Sequence, residues 1–404
     1  MPETSTPTDE LARWRADTPA TSRLVHLNNA GASLMPEPVL AAVTAHLARE
    51  CEIGGYEASE EEAPHLAAAY EAVAALLGTR AANVAMVENA TVAVSQALSA
   101  IPFTAGDRLV TSRIDYPSNQ IMYLSLAHRL GIEVVQADDL PEGGVDPESV
   151  RRLARQPRCR LVSLTWVPTN SGLVQDAHAV GEVCAELGVP YLVDACQSVG
   201  QMAVDVARLR CDYLAGTARK FLRGPRGIGF LYVSDRALER GDQPLLPDMR
   251  GADWVAPGEY RLAAGARRFE NWEFAYALVL GMGEAARYAA RVGPAAFTRG
   301  RELAARLRSR LAALPGLRVL DRGRDLSALV TAEIAGRDAE EIKLALRQRG
   351  INTSVSRRKD GLLDMEAKGA ASALRLSPHY FNTEDEVDAA TEALAELLGR
   401  RSPG

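Results

Sequence analysis

Seven short apolar runs constrain this 404-residue chain more than any other feature. They are NVAMVEN (83–89), RLVTSRID (108–115), IEVVQADD (132–139), RLVSLTW (160–166), PYLVDAC (190–196), DYLAGT (212–217) and GIGFLYV (227–233). Each has strand length, and most lack the polar alternation of a sheet with one wet face. A strand apolar on both faces has to be covered on both, which requires a mostly parallel sheet with helices packed on each side. Helical patterns such as HAVGEVCAELG separate most of the runs, and EPVLAAVTAHLARE and APHLAAAYEAVAALLG precede them with apolar residues at i, i+3, i+4 and i+7. Only a lysine-containing loop separates the last two runs, so an antiparallel neighbour is open there.

The rhythm changes after about residue 240. PLLPDMRGADWVAPGEYRLAAGARRFENWE is rich in Gly and Pro and reads as a long loop, and such loops in compact domains are usually functional. The helix FAYALVLGMGEAARYAARVG follows, and TRGRELAARLRSRLAALPG crosses into a smaller α+β domain. That domain comprises the strands LRVL and ALVTAEIA, the helix DAEEIKLALRQRG, the strand ALRLSP and a terminal helix opened by Thr383 and Glu386 in capping-box spacing. The Thr/Pro/Glu-rich start is expected to be a mobile arm apart from an amphipathic LARWR turn. The expected layout is an N-terminal arm (1–35) packing on the small domain, a large α/β domain (36–285) with a mostly parallel seven-stranded sheet, and a small α+β domain (286–404).

Composition removes several classes of function. With 46 basic and 52 acidic side chains, the net charge of −6 offers no basic field for nucleic acid or an anionic membrane. No apolar run approaches the roughly 18–20 residues of a membrane span, and MPETSTPTDELARWR lacks the order of a secretory signal. Five cysteines, odd in number and without a CxxC, fit a reducing cytoplasm. The six histidines include no HxxxH pair, so no metal site is expected. GPRGIG is no dinucleotide fingerprint, because it lacks GxGxxG spacing and precedes a strand.

In an open parallel sheet, ligands bind beyond the carboxyl ends of the strands. Asp194 follows PYLV, and Gln197 comes shortly after it. Lys220 follows YLAGTAR, Asn170 follows LTWVPT, Asn89, Ala90 and Thr91 follow VAMVE at a helix start, and Asp115 and Tyr116 follow RLVTSRI. Each has an ordinary explanation when taken singly: a helix cap or ion pair, a solvent-facing lysine, an N-cap, a core tyrosine. In combination they offer an amine, a carboxylate and a helix N-terminus, which are the needs of pyridoxal phosphate. The amine forms the Schiff base, the carboxylate keeps the pyridine nitrogen protonated, and the helix start binds the phosphate.

The block Asp194-Ala-Cys-Gln197, then Thr217-Ala-Arg219-Lys220 and Gly224-Pro225-Arg226-Gly227-Ile228-Gly229, resembles the aminotransferase class V family on the type I fold of pyridoxal-phosphate enzymes. The likeness extends from LVHLNNAGAS (24–33) to ALRLSPHYFNTEDEVD (373–388). It implies that Lys220 is the Schiff-base lysine and the base at the substrate Cα. It pairs Asp194 with the pyridinium nitrogen, and Gln197 and Asn170 with the hydroxyl edge of the ring. Ala90, Thr91 and Thr217 hold the phosphate, Arg219 makes a phosphate or more distant contact, and Tyr116 stacks on the ring. Arg375 grips the substrate α-carboxylate, for which a bidentate guanidinium is suited, and Asn29 lines the substrate pocket. The resemblance also implies a homodimer with the site at the interface.

Two departures from the family pattern narrow the reading. A cysteine desulfurase needs a mobile cysteine in the segment before the carboxylate arginine, and residues 350–375 contain none, the last cysteine being Cys211. Trp272 and Glu273 replace the Gly-Thr of a family motif whose Thr reaches the partner's phosphate, and are expected to shape the substrate mouth instead. Arg357-Arg358-Lys359 reads as a solvated loop, with attraction of an anionic substrate as the alternative. HLARECEIGGYEASEEEAP (46–64), TARKFLRGPRGIG and ALRLSPHYFNT resemble the branch containing hercynylcysteine sulfoxide lyase. The favoured expectation is C–S cleavage of a cysteine S-conjugate. An aminotransferase, epimerase or decarboxylating deaminase is the runner-up, and a cofactor-free binding protein is the alternative of another class.

Overall fold

The computed structural model describes residues 7–399. All seven apolar runs are strands of one sheet: β1 (Val84–Val87), β2 (Arg108–Thr111), β3 (Glu133–Gln136), β4 (Cys159–Thr165), β5 (Tyr191–Asp194), β6 (Tyr213–Thr217) and β7 (Gly229–Val233). Their order is β1-β7-β6-β5-β4-β2-β3. Only β7 runs antiparallel to its neighbours, β1 and β6, because the short loop after β6 turns the chain straight back. Successive residues feed opposite apolar layers. Val84, Met86, Leu214 and Phe230 face one layer, while Ala85, Val87, Tyr213 and Leu231 face the other. Burying each large apolar side chain contributes about 1.5–3 kcal/mol, so both faces are fixed and polar groups are driven to the strand ends.

The helices that cover the sheet include α1 (Glu37–Ile53), α2 (Ala63–Leu77), α3 (Ala90–Ser99), α4 (Pro117–Leu130) and α5 (Ala177–Leu187). The two helices expected after residue 273 meet end to end in α6 (Tyr276–Ala312), where Gly293 adopts φ 69° and ψ −175° before Pro294. Proline has no N–H to continue the helical ladder, so the helix kinks there.

The smaller C-terminal domain holds four antiparallel strands, β8 (Leu317–Val319), β9 (Val330–Ile334), β10 (Ser354–Arg357) and β11 (Ser372–Leu376), in the order β8-β9-β11-β10. Strand β10 was not among the expected strands: it is an edge strand whose sequence, SVSR, carries a single large apolar residue. The capping box forms, with Thr383 N donating to Glu386 Oε2 at 3.2 Å and Glu386 N to Thr383 Oγ1 at 3.1 Å.

Two expectations change. The long loop contains an antiparallel hairpin, Ala252–Ala256 with Glu259–Leu262, whose side chains point largely to solvent and so leave no apolar run. The N-terminal arm is ordered from Pro7, where a helix runs to Ala16, and residues 1–6 lie outside the described residues. Trp14 packs edge-on against Tyr380 at 5.0 Å, and Arg15 pairs with Glu386 at 2.7 Å. Val25–His26 then adds a parallel pairing to Ile351–Asn352.

The loop after Lys220 is pinned from both termini. Arg223, fully buried with φ 63°, donates to Leu34 O, Tyr380 Oη and Thr18 Oγ1 and stacks over Phe381 at 4.5 Å. His379 Nε2 bonds Phe221 O at 2.8 Å, while its Nδ1 accepts from Tyr380 N at 3.0 Å. Burial lowers its pKa from 6.5 to about 3. The folded state therefore refuses a proton that the unfolded chain accepts, and stability falls as pH drops below 6.5, levelling off near 3. Denaturant titrations should show wild type losing about 2 kcal/mol to this group by about pH 5, with the slope reduced in His379→Gln; equal slopes would disprove the assignment.

Candidate active site

The carboxyl ends of the large-sheet strands open onto a cavity of about 490 Å³. Ala90, Thr91, Tyr116, Asp194, Gln197, Thr217, Arg219 and Lys220 all line it, so eight residues drawn from four separate strand ends meet in one place. A second cavity of about 550 Å³, walled in part by Trp166, His178, Met202 and Phe297, is larger but has no comparable chemistry. Its arginines Arg301 and Arg324 are paired with Asp325 and Glu142.

Lys220 is 7% exposed and has no ion pair or side-chain hydrogen bond among the described residues. Burial pushes its pKa down, favouring the neutral amine that can act as nucleophile or base. Its Nζ lies 5.8 Å from the centre of the Tyr116 ring. Asp194, the last residue of β5, accepts from Asn119 Nδ2 on Oδ2 and from Cys196 N on Oδ1, each at 3.0 Å. Gln197 Nε2 donates to Ala30 O at 3.0 Å and to Thr169 Oγ1 at 3.3 Å, while its buried Oε1 has no partner among the described residues.

The anion cradle is the start of α3. Asn89 caps the helix by accepting from Val92 N at 3.0 Å, which leaves the N–H groups of Ala90 and Thr91 without intrahelical acceptors. Gly229 makes room for this turn: a Cβ there would lie 2.6 Å from Gly216 O and 3.0 Å from Ala90 N. Arg219 and Arg226 stand nearby with no carboxylate partner among the described residues, and Arg219 donates to Gly31 O.

Three expected site residues sit behind the walls. Arg375, on β11, donates to Thr169 O at 2.9 Å and Thr169 Oγ1 at 2.8 Å, and its buried Nε has no partner among the described residues. Burial lowers its pKa to about 10. It thus reaches the cavity at Thr169, which lines it. Asn170 is turned away: its amide donates to Asp364 Oδ2 at 2.7 Å, which also receives Lys368 Nζ at 2.7 Å. Asn29 is a pin rather than a pocket wall. Its Nδ2 donates to His26 O and Ser377 O while Oδ1 accepts from Ser33 Oγ, and it does not line the cavity.

Trp272 and Glu273 are also absent from the cavity wall of this chain. Trp272 is half exposed, and its segment is anchored by buried Glu270, which accepts from Met86 N, Tyr70 Oη and Arg250 Nε. The basic triplet is partly neutralised, Arg357 by Glu340 and Arg358 by Glu366. Sequence reasoning missed Asn119, Thr165, Thr169 and Cys196 as wall residues. Asn119 was detectable one helical turn after Tyr116, and Cys196 from its position between Asp194 and Gln197. Burial pushes the Cys196 thiol pKa up, so the thiol stays protonated.

Residues 25–390 match the family model described as Aminotransferase class-V. The chain belongs to that family. A probable hercynylcysteine sulfoxide lyase of Mycobacterium tuberculosis is 32% identical over 98% of this chain and 95% of its own length. A probable cysteine desulfurase of Methanothermobacter thermautotrophicus is 27% identical over 95% and 97%. The apo structure of a cysteine desulfurase from Thermococcus onnurineus NA1 superposes with a TM-score of 0.88 at 23% identity, covering 96% of this chain and 98% of that one, which establishes the shared fold.

Class-V enzymes depend on pyridoxal phosphate, and this chain is such an enzyme. The residues present fit the cofactor. The unpaired amine of Lys220, the acceptor geometry of Asp194, the orphaned Oε1 of Gln197 and the cradle kept open by Gly229 occupy one cavity. Purified protein supplied with pyridoxal phosphate should show the visible absorbance of a lysine-bound cofactor, and Lys220→Ala should abolish it; a surviving band would place the attachment elsewhere.

Proposed function

We propose that this class-V enzyme cleaves a C–S bond in a cysteine S-conjugate by β-elimination. The observation that carries the reading is the state of its thiols. Residues 350–375, which include β10 and β11, contain no cysteine, and the one cysteine in the cavity wall, Cys196, is kept protonated by burial. A protonated thiol is a poor nucleophile, so sulfur is expected to leave with its own substituent rather than pass to the protein.

Pyridoxal phosphate supplies the electron sink for the bond broken at Cα. In the proposed division of labour, the N–H groups of Ala90 and Thr91, with Thr217 and Arg219, hold the phosphate. Asp194 would accept a hydrogen bond from the protonated ring nitrogen, Gln197 would meet the ring oxygen, and Tyr116 would cover one face. Arg375 binds the substrate carboxylate, exchanging its bonds to Thr169 for a charge-assisted pair. Asn170 sets the adjoining wall through Asp364. Lys220 would take the proton from Cα and return one to sulfur as the Cβ–S bond breaks with its electron pair on sulfur; the three-carbon enamine left behind would take up water to give pyruvate and ammonia.

S-substituted cysteines distinguish the possible outcomes. The lyase reading expects pyruvate without any keto-acid acceptor. Strict acceptor dependence would replace it with transamination, inversion at Cα with epimerisation, and release of carbon dioxide with decarboxylation.

We further propose a cytoplasmic homodimer with the site at its interface. The five cysteines are free, and no helix among the described residues is long and apolar enough to cross a membrane. Leu245, Leu246, Met249 and Trp254 are all exposed, Trp254 to 81%, on or beside the hairpin. A patch of this kind marks an interaction surface. Sedimentation should give a dimer for wild type and a shift toward monomer for the double change Leu246→Asp, Trp254→Glu; a monomeric wild type would refute this assembly.

A further inference from the structure

Asn119 lies in the first turn of α4, is 2% exposed and forms part of the cavity wall. Its single amide nitrogen reaches two carboxylates, Asp194 Oδ2 at 3.0 Å and Asp115 Oδ1 at 3.3 Å. An amide nitrogen carries two hydrogens, so both are committed. The side chain cannot turn without orphaning a buried carboxylate oxygen.

Asp115 is a second buried carboxylate with no ion pair among the described residues. Neutral donors surround it: Thr111 Oγ1 at 2.7 Å, Tyr116 N at 2.7 Å, Tyr123 Oη at 3.0 Å and the hydroxyl of Thr165. Tyr123 is fixed in turn by Ser163 Oγ at 2.7 Å. Burial raises the pKa values of both Asp115 and Tyr123, with Asp194 adding to each shift. Among the titratable groups facing Asp194 are Cys196, Tyr123 and Lys220. Asp115 therefore touches two arms of the site at once, the backbone of Tyr116 and, through Asn119, the carboxylate of Asp194.

We propose that Asn119, anchored by Asp115, is the positioning residue that fixes the Asp194 carboxylate toward the ring nitrogen of the cofactor. The inference rests on reading Lys220 and Asp194 as the cofactor residues. Without Asn119, Asp194 keeps only its contacts to the backbone N and thiol of Cys196, and Oδ2 loses the amide that aims it. The ring nitrogen then holds its proton less firmly and the electron sink weakens, while the phosphate cradle and Arg375 are untouched.

The test uses holoenzyme reconstituted with pyridoxal phosphate labelled with nitrogen-15 in the ring, in wild type, Asn119→Ala, Asn119→Ser and Asp115→Asn. Cofactor stoichiometry and circular dichroism first establish that each variant is folded and loaded. The ring-nitrogen signal of wild type is expected at the protonated position. Asn119→Ala should move it most of the way to the unprotonated position, and Asn119→Ser, which keeps one donor, should restore part of the shift. A mere loss of packing would lower loading without moving the signal of the loaded fraction. An unchanged signal in loaded Asn119→Ala or Asn119→Ser overturns the proposal. Should Asn119→Ala not fold, Asn119→Ser and Asp115→Asn decide by the same readout. A wild type that binds no cofactor removes the underlying reading and the proposal with it.

Discussion

The site exists because the large sheet is dry on both sides. With alternate residues of β1, β6 and β7 committed to two apolar layers, polar side chains have few places to go except past the strand ends. The parallel strands direct those ends to the same edge. The antiparallel β7 brings the chain back beneath the start of α3, where Gly229 allows close approach to Ala90. Amine, carboxylate and anion cradle thus converge through the same packing that stabilises the domain, and no separate scaffold is needed.

How much could be read from the sequence follows from burial. The inner strands of the large sheet were visible because strands buried on both faces are apolar throughout, and the edge strand β3 was visible from its Val134-Val135 pair. Residues at the ends of those strands, Asp194, Thr217 and the Lys220 loop, could be located by counting past the runs. Surface elements were less visible: β10 is a polar edge strand, and the 252–262 hairpin carries its large side chains outward, so neither leaves a periodic signature.

Individual contacts were the least legible. Asn170 and Asn29 stand where a ligand contact was expected, but Asp364 and Ser377, each distant in sequence, claim their amides. Thr169 lines the cavity because the segment after β4 turns inward, which local pattern does not encode. Residue type and spacing locate a site. The directions of Asn170 and Asn29 depend on partners 194 and 348 positions away.

Arg223 shows what such partnering demands. It is a permanent cation in an aromatic enclosure, with no acid among its hydrogen-bond partners, and two of its three oxygen acceptors, Leu34 O and Thr18 Oγ1, belong to the N-terminal arm. Without those two acceptors the guanidinium would lose bonds that hold it over Phe381, directly behind the lysine loop. Thr18 and Leu34 therefore brace the lysine loop from one side while Tyr380 and Phe381 brace it from the other, so the loop is completed only when segments far apart in sequence have met.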